Sequence, residues 1–238
     1  MFKSYKEEAY SYIRNGILAG DIPPGARLSD IALSRQMKIS RTPIREALNQ
    51  LVSENLATQI PHYGMFVRTM ERQELEELYD LRELLEGYAA FQAAKKRMPE
   101  HIKEMRALLN QLQEINNEFF NSSHSDIEDK LAEQQIQCDA KFHSVIMKAA
   151  SSSKLYKIVE DMHLLTHIFG YKRFIPGIDV PKVLIRTCNE HESILKSIEN
   201  QDGESARSLM CLHVSLGKKQ GMDSFDYHRA DLKREVAE

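Results

Sequence analysis

The chain has 238 residues, 42% of them hydrophobic, which is enough for one or two domains with buried cores. No apolar run reaches the roughly 18 residues of a transmembrane helix, and the charged N-terminus lacks the features of a signal peptide. Three cysteines, Cys138, Cys188 and Cys211, form no C-x-x-C pair, and their odd number argues against a disulfide framework. We therefore expect a cytoplasmic protein with no membrane partner.

Charge is unevenly distributed along the chain. Residues 1–68 contain nine Lys and Arg against six Asp and Glu, a balance of +3. The remainder contains 23 against 29, a balance of −6. A basic segment joined to an acidic one predicts that only the N-terminal part binds a polyanion.

The basic segment has the pattern of a winged helix-turn-helix. The first predicted helix has an apolar stripe made of Tyr5, Ala9, Tyr12, Ile13 and Ile17. Ser29 is the expected N-cap of the second helix, and the hairpin is expected to turn near His62–Gly64. Three helices and a hairpin in this order make the motif, with expected bounds of 4–19, 29–37, 41–54 and, for the hairpin, 57–68.

The third predicted helix has the residue types of a DNA recognition helix. Arg41 and Arg45 lie one turn apart at its start, where arginine can bind guanine O6 and N7. The alternative is that both arginines only solvate the helix and pair with Glu46 or Glu54. Further expected DNA contacts are the phosphate donors Ser40 and Thr42, Asn49 on the same face, Arg35 in the preceding helix, and His62, Tyr63 and Gly64 at the wing tip.

From Glu71 onwards the sequence predicts almost only helix. An antiparallel bundle of six helices is expected at residues 71–96, 99–120, 126–150, 154–171, 180–200 and 203–220. The predicted fold is therefore mainly α. Its predicted parts are a DNA-binding domain over 1–69, an all-helical domain over 70–222 and a polar tail over 223–238.

Four residues of the bundle have the spacing of a metal site. Asp139 and His143 are four residues apart, on one helix face. Asp202 lies in the turn between two predicted helices. His191 lies 11 residues before Asp202, and His213 lies 11 residues after it. They should therefore reach the same height, about 16 Å from the turn. Such a set suits Zn²⁺ first, and also Ni²⁺, Mn²⁺ or Fe²⁺.

Several alternatives to this metal site stay open at the level of sequence. The four residues can be ordinary positions in a helical bundle. A rival ligand set consists of Glu160, His163 and His167, which are also spaced by single helical turns. Cys188 lies three residues before His191 and is an alternative thiolate ligand. Such a cysteine more commonly fills a small gap between apolar side chains.

Residues 8–68 resemble the DNA-binding domain of the GntR family of bacterial transcription regulators. The resemblance is carried by Pro24–Gly25, by S-R-T-P-I-R-E-A-L from Ser40 to Leu48, and by Gly64–Val67. It implies that the matched arginines, Arg41 and Arg45, together with Thr42 and the wing near Gly64, contact operator DNA. Some relatives have an arginine where this chain has Ile31, so that contact is not expected here.

The rest of the chain resembles the FadR-type effector domain of the same family, the FCD domain, in its metal-binding subgroup. Arg82 and Glu86 match the R-x-x-L-E pattern near its start. The resemblance implies that the metal ligands are Asp139, His143, His191 and His213. It further implies a small carboxylate effector that completes the metal's coordination, with Arg82 as its partner and Arg186 and Arg173 as weaker candidates. For Arg82 the alternative is a salt bridge with Glu86.

We therefore expect an effector-responsive regulator that binds a palindromic operator as a homodimer, with one winged helix-turn-helix domain on each half-site. A metal-sensing regulator without an organic effector is the first alternative. A metal-dependent enzyme fused to a DNA-binding head is the second. We expect no catalysis, because the sequence offers no general base beside the cluster, no nucleophile motif and no cofactor loop.

Overall fold

The fold is mainly α and divides into two compact units. The first comprises Met1–Glu71 together with His167–Phe169, and the second comprises Arg72–Thr166 and Gly170–Glu238. The boundary predicted after residue 69 lies two residues before the observed one. The computed structural model describes residues 4–96, 98–121, 125–170 and 178–235.

The first unit is a winged helix-turn-helix. Its helix α1 begins with a capping box between Ser4 and Glu7 and ends at Gly20, where φ is 82°. Ser29 caps the second helix, as predicted, by accepting from the amide of Ala32. The three helices lie within one residue of their predicted bounds: α1 Tyr5–Ala19, α2 Asp30–Met37 and α3 Arg41–Ser53.

Helix α3 and the inner stripe of α1 form the core of this unit. The expected residues of α3, Ile44, Leu48 and Leu51, are all buried. The prediction for α1 was partly wrong, because Tyr5 and Tyr12 are 67% and 43% exposed. The inner stripe of α1 consists of Ala9, Ile13 and Ile17.

The wing is an antiparallel pair of strands, β1 Ala57–Ile60 and β2 Gly64–Val67. Ala57 pairs with Val67, and Ile60 pairs with Gly64. The turn occupies residues 61–63, slightly earlier than predicted, and His62 has a positive φ of 67°. Gly64, with a φ of 113°, begins the second strand, where a residue with a side chain would be strained.

The second unit is a helical bundle. Helix α4 packs most extensively on α9, and also on α6 and α8, while α5 packs on α6 and α8. No helix in the described ranges combines the length and the apolar character required to cross a membrane. The first five helices agree with the prediction within one residue, and all six are α4 Arg72–Lys96, α5 Pro99–Asn121, α6 Ser125–Ala149, α7 Ser153–Gly170, α8 Val180–Glu199 and α9 Gly203–Glu235.

The prediction for the end of the chain was wrong. Helix α9 does not stop near residue 220 but continues to Glu235, so most of the predicted polar tail is helical. Met222 and Ser224 are buried, and a Cβ at Gly221 would lie 2.2 Å from the hydroxyl of Tyr79. The segment is polar in composition, but it contains no proline or glycine after Gly221 that would end a helix.

Two glycines inside helices of the second unit test how tightly α4 packs on α9. A Cβ at Gly87 would lie 2.5 Å from Sγ of Cys211, whereas a Cβ at Gly217 would have open space around it. We expect Gly87→Ala to lower the free energy of unfolding by about 1–3 kcal/mol through overpacking. We expect Gly217→Ala to raise it by up to about 1 kcal/mol through helix propensity. Urea denaturation followed by circular dichroism measures both, and a stabilising Gly87→Ala would contradict the close packing.

Candidate functional site

The two arginines at the start of the recognition helix are held by an acidic residue from the preceding helix. Arg41 Nη2 lies 2.9 Å and Arg45 Nε lies 2.6 Å from Oδ2 of Asp30. The hydrogen bond from Arg41 keeps the pKa of Asp30 below its ordinary value. The side chains of Arg41 and Arg45 remain 49% and 60% exposed. Glu54 binds Tyr10 and Gln50, so the partner that orients the arginines is Asp30.

The other predicted DNA contacts also lie at the surface of the first unit. The hydroxyl of Ser40 makes no capping hydrogen bond at the start of α3, although this residue is the N-cap. Arg27, which the sequence analysis did not single out, lies beside the wing, since a Cβ at Gly64 would be 3.7 Å from its Nε. Every predicted contact is exposed, namely Arg35, Ser40, Arg41, Thr42, Arg45, Asn49, His62, Tyr63 and Gly64.

The four predicted metal ligands come together inside the bundle. Asp139 and His143 lie on α6, His191 on α8 and His213 on α9. One donor atom from each lies within 4.8 Å of the others. His191 Nε2 is 3.3 Å from Asp139 Oδ1, and the Nε2 atoms of His143 and His213 are 3.0 Å apart. Ligands that share an ion at about 2.0–2.2 Å have spacings of this size.

Two glutamates fix the tautomers of two of these histidines. Glu86 contacts Nδ1 of His143, and Glu190 lies 2.7 Å from Nδ1 of His213. An ionised carboxylate only accepts hydrogen bonds, so each Nδ1 is the donor. In the neutral rings, both Nε2 lone pairs then point at the same small space. Carboxylate partners of this kind are common behind metal-bound histidines.

The electrostatics of the cluster also fit a cation. Burial lowers the pKa of His143 to about 4, against the opposing effect of Glu86, and burial also lowers the pKa of His191. Both rings are therefore neutral near pH 7, which is the form that binds a metal. The buried Nε2 of His191 makes no hydrogen bond within the described parts of the chain, although Asp139 is close. A metal ion would use this lone pair and relieve the repulsion between the facing nitrogens of His143 and His213.

Arg82 belongs to a second, buried polar cluster next to the first. Its Nε donates to Glu86 at 2.7 Å, and its Nη1 donates to Thr166 at 2.8 Å. Its Nη2 lies 3.2 Å from Nε2 of His163. Burial alone would raise the pKa of Glu86, but the charge of Arg82 and the hydrogen bond with His143 hold this pKa well below its ordinary value. The alternative expected from sequence, a salt bridge between Arg82 and Glu86, is therefore present.

Arg186 is one of the other two arginines that are expected to bind the effector. Arg186 lies 3.3 Å from Glu190 and donates to Gln220 at 2.9 Å. It borders an open groove of about 590 Å³ between α8 and α9, which contains Glu190 but none of the four predicted metal ligands. Glu190 thus borders the groove and also contacts His213. Arg173 lies outside the described residues.

The rival ligand sets do not form in the described parts of the chain. His163 joins Glu86 and His143 rather than Glu160 and His167. Glu160 instead accepts a hydrogen bond from Tyr156. Cys188 is buried and is not a member of either group of potential ligands.

Two family models match the chain, one in each unit. The model of the bacterial regulatory proteins of the gntR family matches residues 5–67, and the model of the FCD domain matches residues 77–216. The second match alone covers more than half of the chain. This chain belongs to the GntR family of regulators with an FCD domain. Both the fold and the family expected from sequence are confirmed.

Individual relatives of this GntR protein are transcription regulators, not enzymes. It is 30% identical over 139 residues to the "Nta operon transcriptional regulator" of Aminobacter aminovorans, a match that covers 58% of this chain and 60% of that protein. The chain thus spans less than two thirds of that relative's length. It is 23% identical over 207 residues to the "HTH-type transcriptional repressor GlaR" of Escherichia coli K12, covering 87% of this chain and 91% of the repressor.

The fold is shared with solved GntR structures. "E. coli McbR/YncC" superposes with a TM-score of 0.69 at 22% identity, covering 96% of this chain and 100% of that one. A putative GntR regulator from Rhodococcus sp. RHA1 gives a TM-score of 0.66 at 20% identity, with 93% and 99% covered. At these identities the similarity concerns the fold.

Proposed function

We propose that this GntR regulator represses transcription in the bacterial cytoplasm by binding a palindromic operator as a homodimer. We further propose that a small carboxylate effector, held with the help of a divalent transition metal, controls this binding. The observation that carries the second part is the pair of Nε2 lone pairs, from His143 and His213, aimed at one point beside Asp139.

The DNA-binding part rests on the exposed arginines of α3. Arg41 and Arg45 present their guanidinium groups from the start of the recognition helix, and Asp30 limits their rotamers. A guanidinium that is already oriented loses less side-chain entropy when it binds a guanine edge. The wing, with the small Gly64 next to Tyr63, is the expected second contact with the duplex.

The metal part rests on the chemistry of the donor set. Three imidazoles and one carboxylate suit Zn²⁺, and also Ni²⁺, Mn²⁺ or Fe²⁺. When bound, such an ion supplies a Lewis-acidic position to which a carboxylate oxygen can bind. Glu86 and Glu190 orient His143 and His213, while stacking on Phe142, with ring centroids 4.2 Å apart, orients His191.

Arg82 and Arg186 are the proposed partners of the effector's carboxylate. Arg82 is buried beside Glu86, and Glu86 contacts His143. Only the side chain of Glu86 therefore separates Arg82 from the four predicted ligands. On the other side, Arg186 contacts Glu190, and Glu190 contacts His213. An effector that binds either guanidinium competes with a glutamate that positions a histidine. Its binding would therefore alter the packing of α4 or α8.

Fluorescence anisotropy with an operator duplex tests the proposal. The duplex is selected by the wild-type protein from a random pool, and affinity is measured with a panel of small mono-, di- and tricarboxylic acids. Each acid is tested on metal-loaded and on chelator-stripped protein. We expect at least one acid to change operator affinity by about 5–150-fold, the usual range of allosteric coupling, in the metal-loaded protein alone.

Two outcomes would contradict this proposal in different ways. A response to metal without any acid would support the metal-sensing alternative. Affinity that is unchanged by metal and by every acid would remove effector control and leave an operator-binding protein.

A further inference from the structure

Residues 25–28, between α1 and α2, extend the wing by a short third segment. The amide of Leu28 donates to the carbonyl of Met65 at 2.8 Å, and Arg27 lies opposite Phe66 in antiparallel register. The segment pairs with the edge of β2 that β1 leaves open, since β1 pairs with the other edge. The wing is therefore supported by a segment that precedes the recognition helix in the chain.

The side chain of Arg27 lies on the outer face of this sheet. Successive side chains of a strand point to opposite faces, and the neighbouring Leu28 is buried in the core at 4% exposure. Gly64 and Phe66 are two residues apart in β2 and share the outer face with Arg27. Nε and Nη2 of Arg27 lie 3.7 and 3.8 Å from the position that a Cβ of Gly64 would occupy. The guanidinium therefore lies over the backbone of the wing, next to its turn.

This guanidinium is available to an anion. Arg27 is exposed, and no carboxylate that the structure describes forms an ion pair with it. The two arginines at the start of α3 differ in this respect, because both contact Asp30. The missing side chain of Gly64 also keeps the wing slim at the point where the guanidinium lies. Arg27 thus presents an unpaired positive charge on the element that is expected to contact the duplex beside α3.

We propose that Arg27 contacts the minor groove of operator DNA beside the wing and favours A·T base pairs there. A·T-rich DNA has a narrow minor groove with enhanced negative potential, which attracts arginine. A G·C pair adds the amino group of guanine to the floor of this groove, and a guanidinium cannot accept a hydrogen bond from that donor. A guanidinium is also more weakly hydrated than an ammonium, so it enters a narrow groove at a lower desolvation cost than lysine does.

The inference rests on the proposed operator binding, and it adds a specificity residue outside the recognition helix. Arg41 and Arg45 are expected to contact base edges in the major groove, where all four base pairs differ. The minor groove distinguishes little more than A·T from G·C. Arg27 therefore selects base composition at a position that α3 does not contact, rather than an exact sequence.

Inosine substitution in the operator tests the proposal, because an I·C pair has the minor-groove groups of A·T and the major-groove groups of G·C. Each A·T pair of the duplex selected by the wild-type protein is replaced in both half-sites, once by G·C and once by I·C, and affinity is measured by fluorescence anisotropy. At one position we expect G·C to weaken wild-type binding at least about tenfold and I·C no more than about twofold. For Arg27→Ala, the two replacements should be equivalent there.

Two variants separate this contact from a general effect of charge. Arg27→Lys keeps the charge, so it should bind a scrambled duplex as the wild type does, yet lose most of the difference between G·C and I·C. Arg106→Ala removes a positive charge from the exposed surface of α5 and should leave every affinity unchanged. Arg27 is exposed, so Arg27→Ala should fold, which circular dichroism checks.

Three results would each overturn the proposal. They are an undiminished difference between G·C and I·C in Arg27→Ala, wild-type discrimination in Arg27→Lys, and the absence of any position where the wild-type protein distinguishes the two replacements. If Arg45→Ala loses operator preference in the same experiment, such a result removes the role of Arg27 and leaves the proposed operator binding standing. A wild-type protein that selects no duplex from the random pool would overturn both.

Discussion

Asp139→Asn is expected to abolish the stabilisation of this protein by the proposed metal ion. Wild-type protein with metal at about 100 times its dissociation constant should gain about 2.7 kcal/mol over the stripped form. For a unit of this size that corresponds to a rise in Tm of about 5–10 °C. The variant should show no such rise, because a neutral amide replaces the one carboxylate among the four donors. The substitution preserves the size of the side chain, so it leaves no cavity.

Metal content measured after dialysis against a chelator provides the graded control for this experiment. Glu190→Gln keeps a hydrogen-bond acceptor for His213 but removes the charge, and we expect it to lower metal affinity about tenfold. Asp139→Asn should have a larger effect, and His101→Gln, on α5 and outside the cluster, should have none. Full metal occupancy in Asp139→Asn would show that the four donors do not share an ion.

The convergence of Asp139, His143, His191 and His213 could be predicted because helices have a fixed rise and the connecting turn is short. His191 and His213 lie at equal distances from Asp202, so an antiparallel pair of helices must bring them to one height. In the structure their ring centroids are 4.7 Å apart. Asp139 and His143 followed from a spacing of one helical turn. The packing of their helix against the other two was an assumption of the sequence analysis, and the coordinates agree with it.

The residues that surround the ligands were not predictable in the same way. The contact between Glu86 and His143 depends on how α4 packs on α6, which the period of a single helix does not determine. Glu190 precedes His191 directly, yet it binds His213 on the neighbouring helix. Asp30 was missed for a similar reason, because only partners on the recognition helix were considered for its arginines.

Arg45→Ala is expected to weaken operator binding by at least about 30-fold. A bidentate contact with guanine contributes about 1–3 kcal/mol, and a dimer loses it in both half-sites. Non-specific binding should change much less, because it depends on total charge rather than on base contacts. Anisotropy titrations with the selected operator and with a scrambled duplex measure the ratio. Arg45 is 60% exposed, so the core of the first unit stays intact.

Three further variants separate the recognition of bases from the electrostatic attraction of the protein to any DNA duplex. Arg35→Ala should weaken both duplexes alike and reduce the salt dependence by about one unit per half-site, as for a phosphate contact. Arg106→Ala, on α5 of the bundle, should change neither affinity. Asp30→Asn frees Arg41 and Arg45 and removes a negative charge, so non-specific affinity should rise while preference for the operator falls. If Arg45→Ala retained the wild-type preference, the start of α3 would not read base sequence. If Asp30→Asn retained the wild-type preference for the operator, Arg41 and Arg45 would not depend on Asp30 for their orientation.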